Sequence, residues 1–187
     1  MTCLNHASLA ASLAALTVTA DAAAASKPKS PAGKRPDVIV IMTDQQTAGA
    51  MSCAGNPWVR TPAMDALAAD GVRFTRAYCP YPLSGPCRAA LVTGRMPFEV
   101  GAFDNAIRPA DADMQAGIGH RLAEAGYECL YAGKWHVPEV NLPDSGTGFR
   151  RISKMNDPAL ADACDAALKE YDGQKPLFLV ASLLNPH

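Results

Sequence analysis

Residues 84–95 read Ser-Gly-Pro-Cys-Arg-Ala-Ala-Leu-Val-Thr-Gly-Arg. The stretch predicts a helix that begins near Gly85. Arg88 follows Ser84 by four residues, about one helical turn, so both side chains lie on the same helix face. Because the N-terminus of a helix favours a bound anion, the pair predicts a hydroxyl beside a cation at an anion-binding helix end. A turn that caps an ordinary buried helix is the alternative interpretation.

The same stretch resembles the signature of the formylglycine-dependent sulfatases, a family within the alkaline phosphatase superfamily. That signature is Cys or Ser, any residue, Pro, any residue, Arg, then Leu and Gly-Arg at fixed spacing. The matching positions are Ser84, Pro86, Arg88, Leu91, Gly94 and Arg95. The resemblance implies that Ser84 is oxidised to formylglycine, whose hydrate attacks sulfur and then expels sulfate. A serine at this place implies a maturation enzyme of the radical type, because the oxygen-dependent converter needs cysteine.

Cys87 does not fit the nucleophile's place in this signature. Counting from Cys87 puts Ala89 where Pro belongs and Leu91 where Arg belongs. Cys87 is therefore predicted to be a small buried residue.

A short apolar run at 37–42, rich in β-branched residues, predicts a fully buried strand that ends just before Thr43-Asp44-Gln45-Gln46. Polar residues at the carboxyl end of a central strand are where open α/β sheets place their sites. The resemblance implies that Asp44, Gln45 and Ser84 bind Ca²⁺, with Mg²⁺ possible. Gln45 stands where the family usually has a second Asp; its amide oxygen can ligate a hard cation, with one negative charge fewer.

Four further residues complete the expected site. Gly133-Lys134-Trp135-His136 resembles a family element in which the Lys contacts sulfate and nucleophile and the His acts on the formylglycine. On an extended segment Lys134 and His136 would face the same side. His187, in the terminal Asn-Pro-His, is expected to contact the substrate. Asn105 is expected to line the pocket, although a loop Asn that bonds its own backbone is the alternative.

The pattern of elements predicts an α/β fold with a mostly parallel central sheet flanked by helices, incomplete at its C-terminus. A helix is expected after Thr61-Pro62, with Thr61 as its cap and Gly71 as its end. The other expected helices start near 85, cover about 115–125, and run from 157 to about 171; the other expected strands are about 72–77, 128–132 and 177–184.

Composition places the chain among ordinary globular proteins. It has 187 residues, 49% hydrophobic and 19% charged, with a net charge of −1. No basic surface for nucleic acid is indicated. Residues 1–25 are interpreted as a signal peptide whose apolar part is too short to span a bilayer, which predicts a periplasmic or secreted protein without a transmembrane anchor. Residues 26–35 are interpreted as a linker, and the cysteine spacing matches no metal site.

Residues 36–187 are therefore interpreted as the N-terminal part of a sulfatase catalytic domain, truncated and with little activity alone. The expected activity of the family is hydrolysis of sulfate monoesters, small or glycan-bound. Two alternatives stay open. One is a phosphate or phosphonate ester hydrolase of the same superfamily, with Ser84 attacking unmodified; the other is an inactive pseudoenzyme that binds sulfated glycans.

Overall fold

The computed structural model describes residues 35–107, 109–137 and 144–187. The predicted signal peptide and nearly all of the predicted linker lie outside this part. The described sheet has four parallel strands in the order β1-β4-β2-β3. The strands are β1 (Val38–Met42), β2 (Glu128–Gly133), β3 (Arg150–Arg151) and β4 (Leu177–Ser182). The predicted α/β class with a mostly parallel sheet is confirmed.

Five α-helices accompany the described sheet. They are α1 (Pro62–Asp70), α2 (Ser84–Thr93), α3 (Asp111–Gln115), α4 (Ile118–Glu124) and α5 (Asp157–Glu170), with short 3-10 turns at Ser52–Ala54 and Asp144–Thr147. The predicted starts of α1, α2 and α5 are within one residue of the observed ones. Thr61 precedes α1 as predicted, but its hydroxyl bonds the Asp65 side chain instead of capping the backbone.

Strands β2 and β4 are covered on both faces, which explains their nearly continuous apolar sequences. One face of the sheet packs with residues of α2 and α3. It consists of odd-numbered residues of β2, such as Tyr131, and even-numbered residues of β4, such as Phe178. The other face, including Leu130 and Leu179, packs against Cys164 and Ala167 of α5. Together these contacts fix the two central strands in place.

Strand β1 is within one residue of the predicted bounds, but the prediction that it is fully buried is wrong. Ile39 is 50% exposed and Ile41 is 65% exposed. The strand pairs with β4 and lies at the edge of the described sheet, so one side of it lacks a described neighbour. An apolar run predicts the strand, whereas its burial depends on what packs against it.

Two other element predictions need correction. Residues 72–77 form no strand. Every residue from 71 to 80 is exposed, so no described strand lies beside this segment to form backbone hydrogen bonds with it. The helix predicted over about 115–125 is α4, which starts later, at Ile118; the chain breaks at Ala116-Gly117, and Gln115 is the last residue of the separate helix α3. Among the described residues, no helix is both long enough and apolar enough to cross a membrane.

The strand register brings three chain segments out at one level of the sheet. Met42 of β1 and Gly133 of β2 both pair with Ser182 of β4. Gly133 has φ +88°, and a Cβ there would collide with the Ser182 carbonyl oxygen, so this close approach requires glycine. The residues that follow these strand ends therefore share one edge of the sheet.

Candidate active site

Ser84 is the first residue of α2 and faces a cavity of about 530 Å³. Its hydroxyl oxygen accepts a hydrogen bond of 3.1 Å from Arg88 Nε, one helical turn on. The predicted pairing of these two side chains is therefore present. The cavity also brings together other predicted positions, since its walls include Asp44, Gln45, Ser84, Arg88, Asn105 and His187.

Arg88 is buried, at 4% exposure, and its guanidinium is held on several sides. Nη1 donates to the Lys134 carbonyl oxygen at 2.7 Å and to Ser182 Oγ at 2.8 Å. Nη2 lies 3.5 Å from Asp44 Oδ2. With Nε on Ser84, the planar group has little freedom to rotate, so its charge stays directed at the cavity.

Lys134 and Asp44 form a buried ion pair beside Arg88. The Lys134 side chain is 3% exposed and that of Asp44 is 10% exposed. Two cations therefore face one carboxylate in this cluster, which leaves one positive charge uncompensated. Burial of a surplus charge is costly unless an anion can approach it, so the cluster favours an anion in the cavity.

Two buried hydroxyls that no motif in the sequence predicts fix the Lys134 backbone. Tyr131 OH and Ser182 Oγ donate to the Lys134 carbonyl oxygen at 2.7 and 2.8 Å. Burial raises the pKa of Tyr131, which keeps the phenol protonated and able to donate. Both residues lie within apolar strand sequences. The sequence feature that could have identified them is a polar side chain at or near the carboxyl end of a strand.

His136 is half-buried, with φ +43°. The extended geometry predicted for Lys134 and His136 is therefore wrong, because the chain turns at His136. Its Nδ1 finds no hydrogen-bond partner among the described residues. Burial lowers the pKa of His136, and the charges of Lys134 and Arg88 lower it further. The imidazole is therefore neutral at neutral pH and can accept a proton.

Asn105 and His187 line the cavity, and both are exposed. Asn105 Oδ1 accepts a hydrogen bond of 2.8 Å from the backbone N–H of Gly85, across the start of α2. A Cβ on Gly85 would lie 3.0 Å from Asn105 Oδ1, so this contact favours glycine. Asn105 thus bonds the start of α2 rather than its own loop.

Cys87 differs from its prediction as a small buried residue. It is half-buried and lines the cavity, as does Cys79 from the exposed segment before α2. The sequence register excluded Cys87 as nucleophile but carried no information about what the thiol faces.

The oxygen donors for a hard cation are right in kind but too few. Asp44 supplies a carboxylate and Gln45 an amide, whereas Ca²⁺ takes about six to eight oxygen ligands. Within the described residues no group of three or more His, Cys, Asp or Glu side chains could hold a metal. Asp44 is also already paired with two cations. These residues alone do not form a calcium site.

Comparison with known proteins gives one consistent result. A family model described as Sulfatase matches residues 36–187. N-acetylglucosamine-6-O-sulfatase of Bacteroides thetaiotaomicron is 40% identical over 133 residues, which cover 71% of this chain and 23% of that protein. Human arylsulfatase A is 36% identical over 124 residues, which cover 63% of this chain and 24% of that protein. The chain thus spans about a quarter of the length of these two relatives.

A solved structure has the same fold. It is a protein in complex with its substrate D-glucosamine-2-N,6-O-disulfate, and it superposes with a TM-score of 0.72 at 29% identity. The match covers 82% of this chain and 35% of that one. Since the family match extends over nearly all the described residues and the 84–95 stretch lies within it, the chain belongs to the sulfatase family.

Proposed function

We propose that the protein hydrolyses sulfate monoesters and that this chain carries the nucleophile and the cationic side of the site. The observation that carries the proposal is the Ser84 hydroxyl, held by Arg88 at the start of α2 in the cavity. Family membership supports the same reaction. After oxidation to formylglycine, the residue at 84 would supply a hydrated aldehyde as nucleophile toward sulfur.

The charge of the cluster favours an anionic ester. Arg88 and Lys134 carry two positive charges against the one negative charge of Asp44. A bound divalent cation would add two further positive charges. The site therefore attracts sulfate and phosphate esters alike, and the assay on both esters distinguishes them.

The chain's own residues would act on the bound ester in three ways. Arg88 and Lys134 would orient the sulfate oxygens and stabilise charge that develops on them. The N-terminus of α2 would add positive potential near Ser84. His136, neutral because its pKa is lowered, would accept or return a proton at its imidazole, with His187 and Asn105 contacting the substrate.

Asp44, Gln45 and residue 84 are proposed as part of the ligand set of a Ca²⁺ or Mg²⁺ ion. Family membership supports this proposal, and the donor oxygens suit a hard cation. Because these donors alone are too few for a calcium site, we expect weak binding at most when the purified chain is titrated with calcium in a calorimeter. Asp44→Asn is expected to abolish that heat of binding, whereas heat that is unchanged in Asp44→Asn would place the ion elsewhere.

Sulfated amino sugars are the proposed substrate class. One relative is named for N-acetylglucosamine-6-O-sulfate chemistry, and one solved structure holds a disulfated glucosamine. A panel of glucosamine 6-sulfate, an aryl sulfate and choline sulfate tests this class. Faster release of sulfate from the sugar is expected, and preference for either other ester would overturn it.

Export to the periplasm or beyond, and maturation by a radical enzyme, are proposed from sequence alone. The Ala/Leu-rich residues 7–25 support export, and serine at position 84 supports the radical route. N-terminal sequencing of protein from the native host tests export. An intact Met1 on cytoplasmic protein would contradict it.

The decisive experiment is mass spectrometry of tryptic peptide 77–88 from the native host, after thiol reduction and alkylation. Formylglycine leaves this peptide two hydrogens lighter and reactive toward hydrazides. The same preparation is assayed on sulfate and phosphate esters, with Ser84→Ala as inactive variant and Ser153→Ala, outside the cavity lining, as control. Intact serine with phosphate turnover would favour the phosphoesterase alternative; binding without turnover would favour the pseudoenzyme.

A further inference from the structure

Ser182 is the last residue of β4, and the proposed hydrolysis assigns it no role. It is completely buried, at 0% exposure, and pairs with Gly133, the residue before Lys134. Its backbone carbonyl oxygen accepts a hydrogen bond of 2.8 Å from the Lys134 N–H. Its hydroxyl oxygen lies 2.8 Å from the Lys134 carbonyl oxygen and 2.8 Å from Arg88 Nη1. Ser182 therefore contacts both residues that supply the positive charge of the site.

The chemistry of its two partners fixes the direction of both hydroxyl bonds. A guanidinium group has five N–H donors and no acceptor, so Arg88 Nη1 donates to Ser182 Oγ. A carbonyl oxygen only accepts, so the single hydroxyl hydrogen goes to Lys134. Ser182 is therefore the acceptor for a buried cation and a donor to the backbone at the same time.

A count of the Arg88 donors shows which nitrogen is left for a ligand. The Nε–H donates to Ser84 Oγ at 3.1 Å. The two hydrogens of Nη1 go to the Lys134 carbonyl oxygen at 2.7 Å and to Ser182 Oγ at 2.8 Å. Nη2 donates no hydrogen bond to the part of the chain that the structure describes, and it lies 3.5 Å from Asp44 Oδ2. Its hydrogens are therefore available to an anion in the cavity that Arg88 lines.

We propose that Ser182 is a positioning residue of the anion site, whose hydroxyl holds Arg88 Nη1 so that Nη2 is left to bind the anion. The inference rests on the proposed function, in which that anion is the sulfate group of the ester.

The hold on Nη1 is independent of the chemical state of residue 84. The bond from Nε depends on the group at residue 84, which the proposed maturation alters. The bonds from Nη1 involve only the Ser182 hydroxyl and the Lys134 backbone, which the maturation leaves unchanged. Ser182 therefore keeps Arg88 oriented before and after that change.

Two variants separate the positioning of Arg88 from support of the Lys134 backbone. Tyr131 OH and Ser182 Oγ both donate to the Lys134 carbonyl oxygen, at 2.7 and 2.8 Å. Ser182 is also a close acceptor for Nη1, whereas Tyr131 OH lies 3.5 Å from that nitrogen. Ser182→Ala and Tyr131→Phe therefore remove equivalent donors to the backbone, but Ser182→Ala also leaves an Nη1 hydrogen without its acceptor.

The test is a titration of the full chain with inorganic sulfate, followed by NMR of the arginine side chains, with Arg88→Lys to assign the signals. A hydrogen bond to a charged group changes an equilibrium by about tenfold or more, so Ser182→Ala should weaken sulfate binding by about that factor. Tyr131→Phe should leave the affinity nearly unchanged. Without sulfate, separate Nη1 and Nη2 signals should persist in Tyr131→Phe and merge in Ser182→Ala, because a guanidinium that loses a bond rotates more freely.

A third variant excludes a packing effect. Ser182→Cys fills the space of the hydroxyl, but sulfur is a weak acceptor, so this variant should behave like Ser182→Ala. It also carries the test if the alanine variant fails to fold. Full sulfate affinity in Ser182→Cys would assign the loss to packing and overturn the inference. Equal losses in Ser182→Ala and Tyr131→Phe would overturn it too, because they would assign the effect to the Lys134 backbone.

The two proposals fail in different ways. Sulfate binding that depends on Ser182, in a protein that hydrolyses no sulfate ester, would contradict the proposed function and leave the positioning role standing. Ester hydrolysis with equal sulfate affinity in the unchanged protein and both Ser182 variants would contradict only the positioning role. A chain that binds no sulfate would contradict both.

Discussion

Asp44 compensates two buried cations, and the stability of the site depends on it. Asp44→Asn keeps the side chain's shape but leaves Arg88 and Lys134 buried without their shared counter-charge. Breaking a buried ion pair from one side costs about 3–5 kcal/mol, so we expect a loss of that size in the free energy of unfolding. Urea denaturation measures it. Asp165→Asn, at an exposed pair with Lys169, is the control and should change stability by less than about 0.5 kcal/mol.

The same variant offers a second readout. Two uncompensated cations should bind sulfate, so added sulfate should recover part of the stability lost in Asp44→Asn and less in the control. A small loss for Asp44→Asn, without any response to sulfate, would show that the cations are already solvated.

His136 should make stability depend on pH. Burial lowers its pKa from the ordinary value of 6.5, as do Lys134, Arg88 and His187, while Asp44 acts in the opposite direction. Between the two pKa values, His136 is therefore protonated in the unfolded chain and neutral in the folded chain. Its contribution to the free energy of unfolding is unchanged above about pH 6.5 and falls as the pH drops below that value, until the folded-state pKa is reached.

The measurement is chemical denaturation at several values between about pH 8 and about pH 5. His136→Gln should flatten the part of the slope that begins near the ordinary histidine pKa. A slope as steep in this variant as in the unchanged protein would show that other groups cause it.

At the scale of elements, α5 holds the end of β4 near the cavity. Asp157, the first residue of α5, accepts hydrogen bonds from the backbone N–H of Leu184 at 2.6 Å and of Asn185 at 2.8 Å. It also accepts a bond of 2.6 Å from Asn185 Nδ2. These bonds lower the pKa of Asp157 and keep the segment that leads to His187 in place.

Asp157→Ala should therefore loosen residues 184–187 without unfolding the sheet. Losing a partly exposed bond of this kind costs about 1 kcal/mol, so hydrogen exchange at the Leu184 and Asn185 amides should become about fivefold faster. Asp172→Ala, which removes an acceptor for the Gln174 N–H, is the control. Unchanged exchange at residues 184 and 185 would mean that strand pairing alone holds them.

Local sequence patterns predicted where most helices and strands begin and end. They did not predict which residues are buried or which strands pair. The helix that starts at Ser84 and the strand at 177–182 depend on adjacent residues, and both were predicted. The exposure of Ile41 and the missing strand at 72–77 depend on neighbours far along the chain. For the site, motif spacing identified Ser84 and Arg88, but the Tyr131 and Ser182 contacts arise from strand pairing, which no local pattern contains.

At the scale of the whole molecule, the outer strand of the described sheet presents apolar side chains to solvent. Val38, Ile39 and Ile41 are 37%, 50% and 65% exposed, and β1 has one described partner strand. Unpaired edges with apolar side chains favour association between copies. We expect the purified 187-residue chain to self-associate as its concentration rises.

Ile41→Lys should reduce this association, because a charged residue on an outer strand opposes edge-to-edge pairing. Leu168→Lys, at an exposed apolar residue of α5, is the matched control and should not. Sedimentation velocity over a range of concentrations distinguishes them. Equal effects of both variants would assign the association to general hydrophobicity.

The common level at which β1, β4 and β2 end has a consequence for redesign. Because β4 lies between the other two, the segments that carry Asp44 and Lys134 leave the sheet two strand spacings apart, roughly 9–10 Å. Because the sheet fixes this distance, the length of the side chains at the strand ends decides which charged groups come into contact. We therefore expect that exchanging strand-end side chains for longer or shorter ones changes which charged groups meet at the pocket, while the strand order and register stay the same.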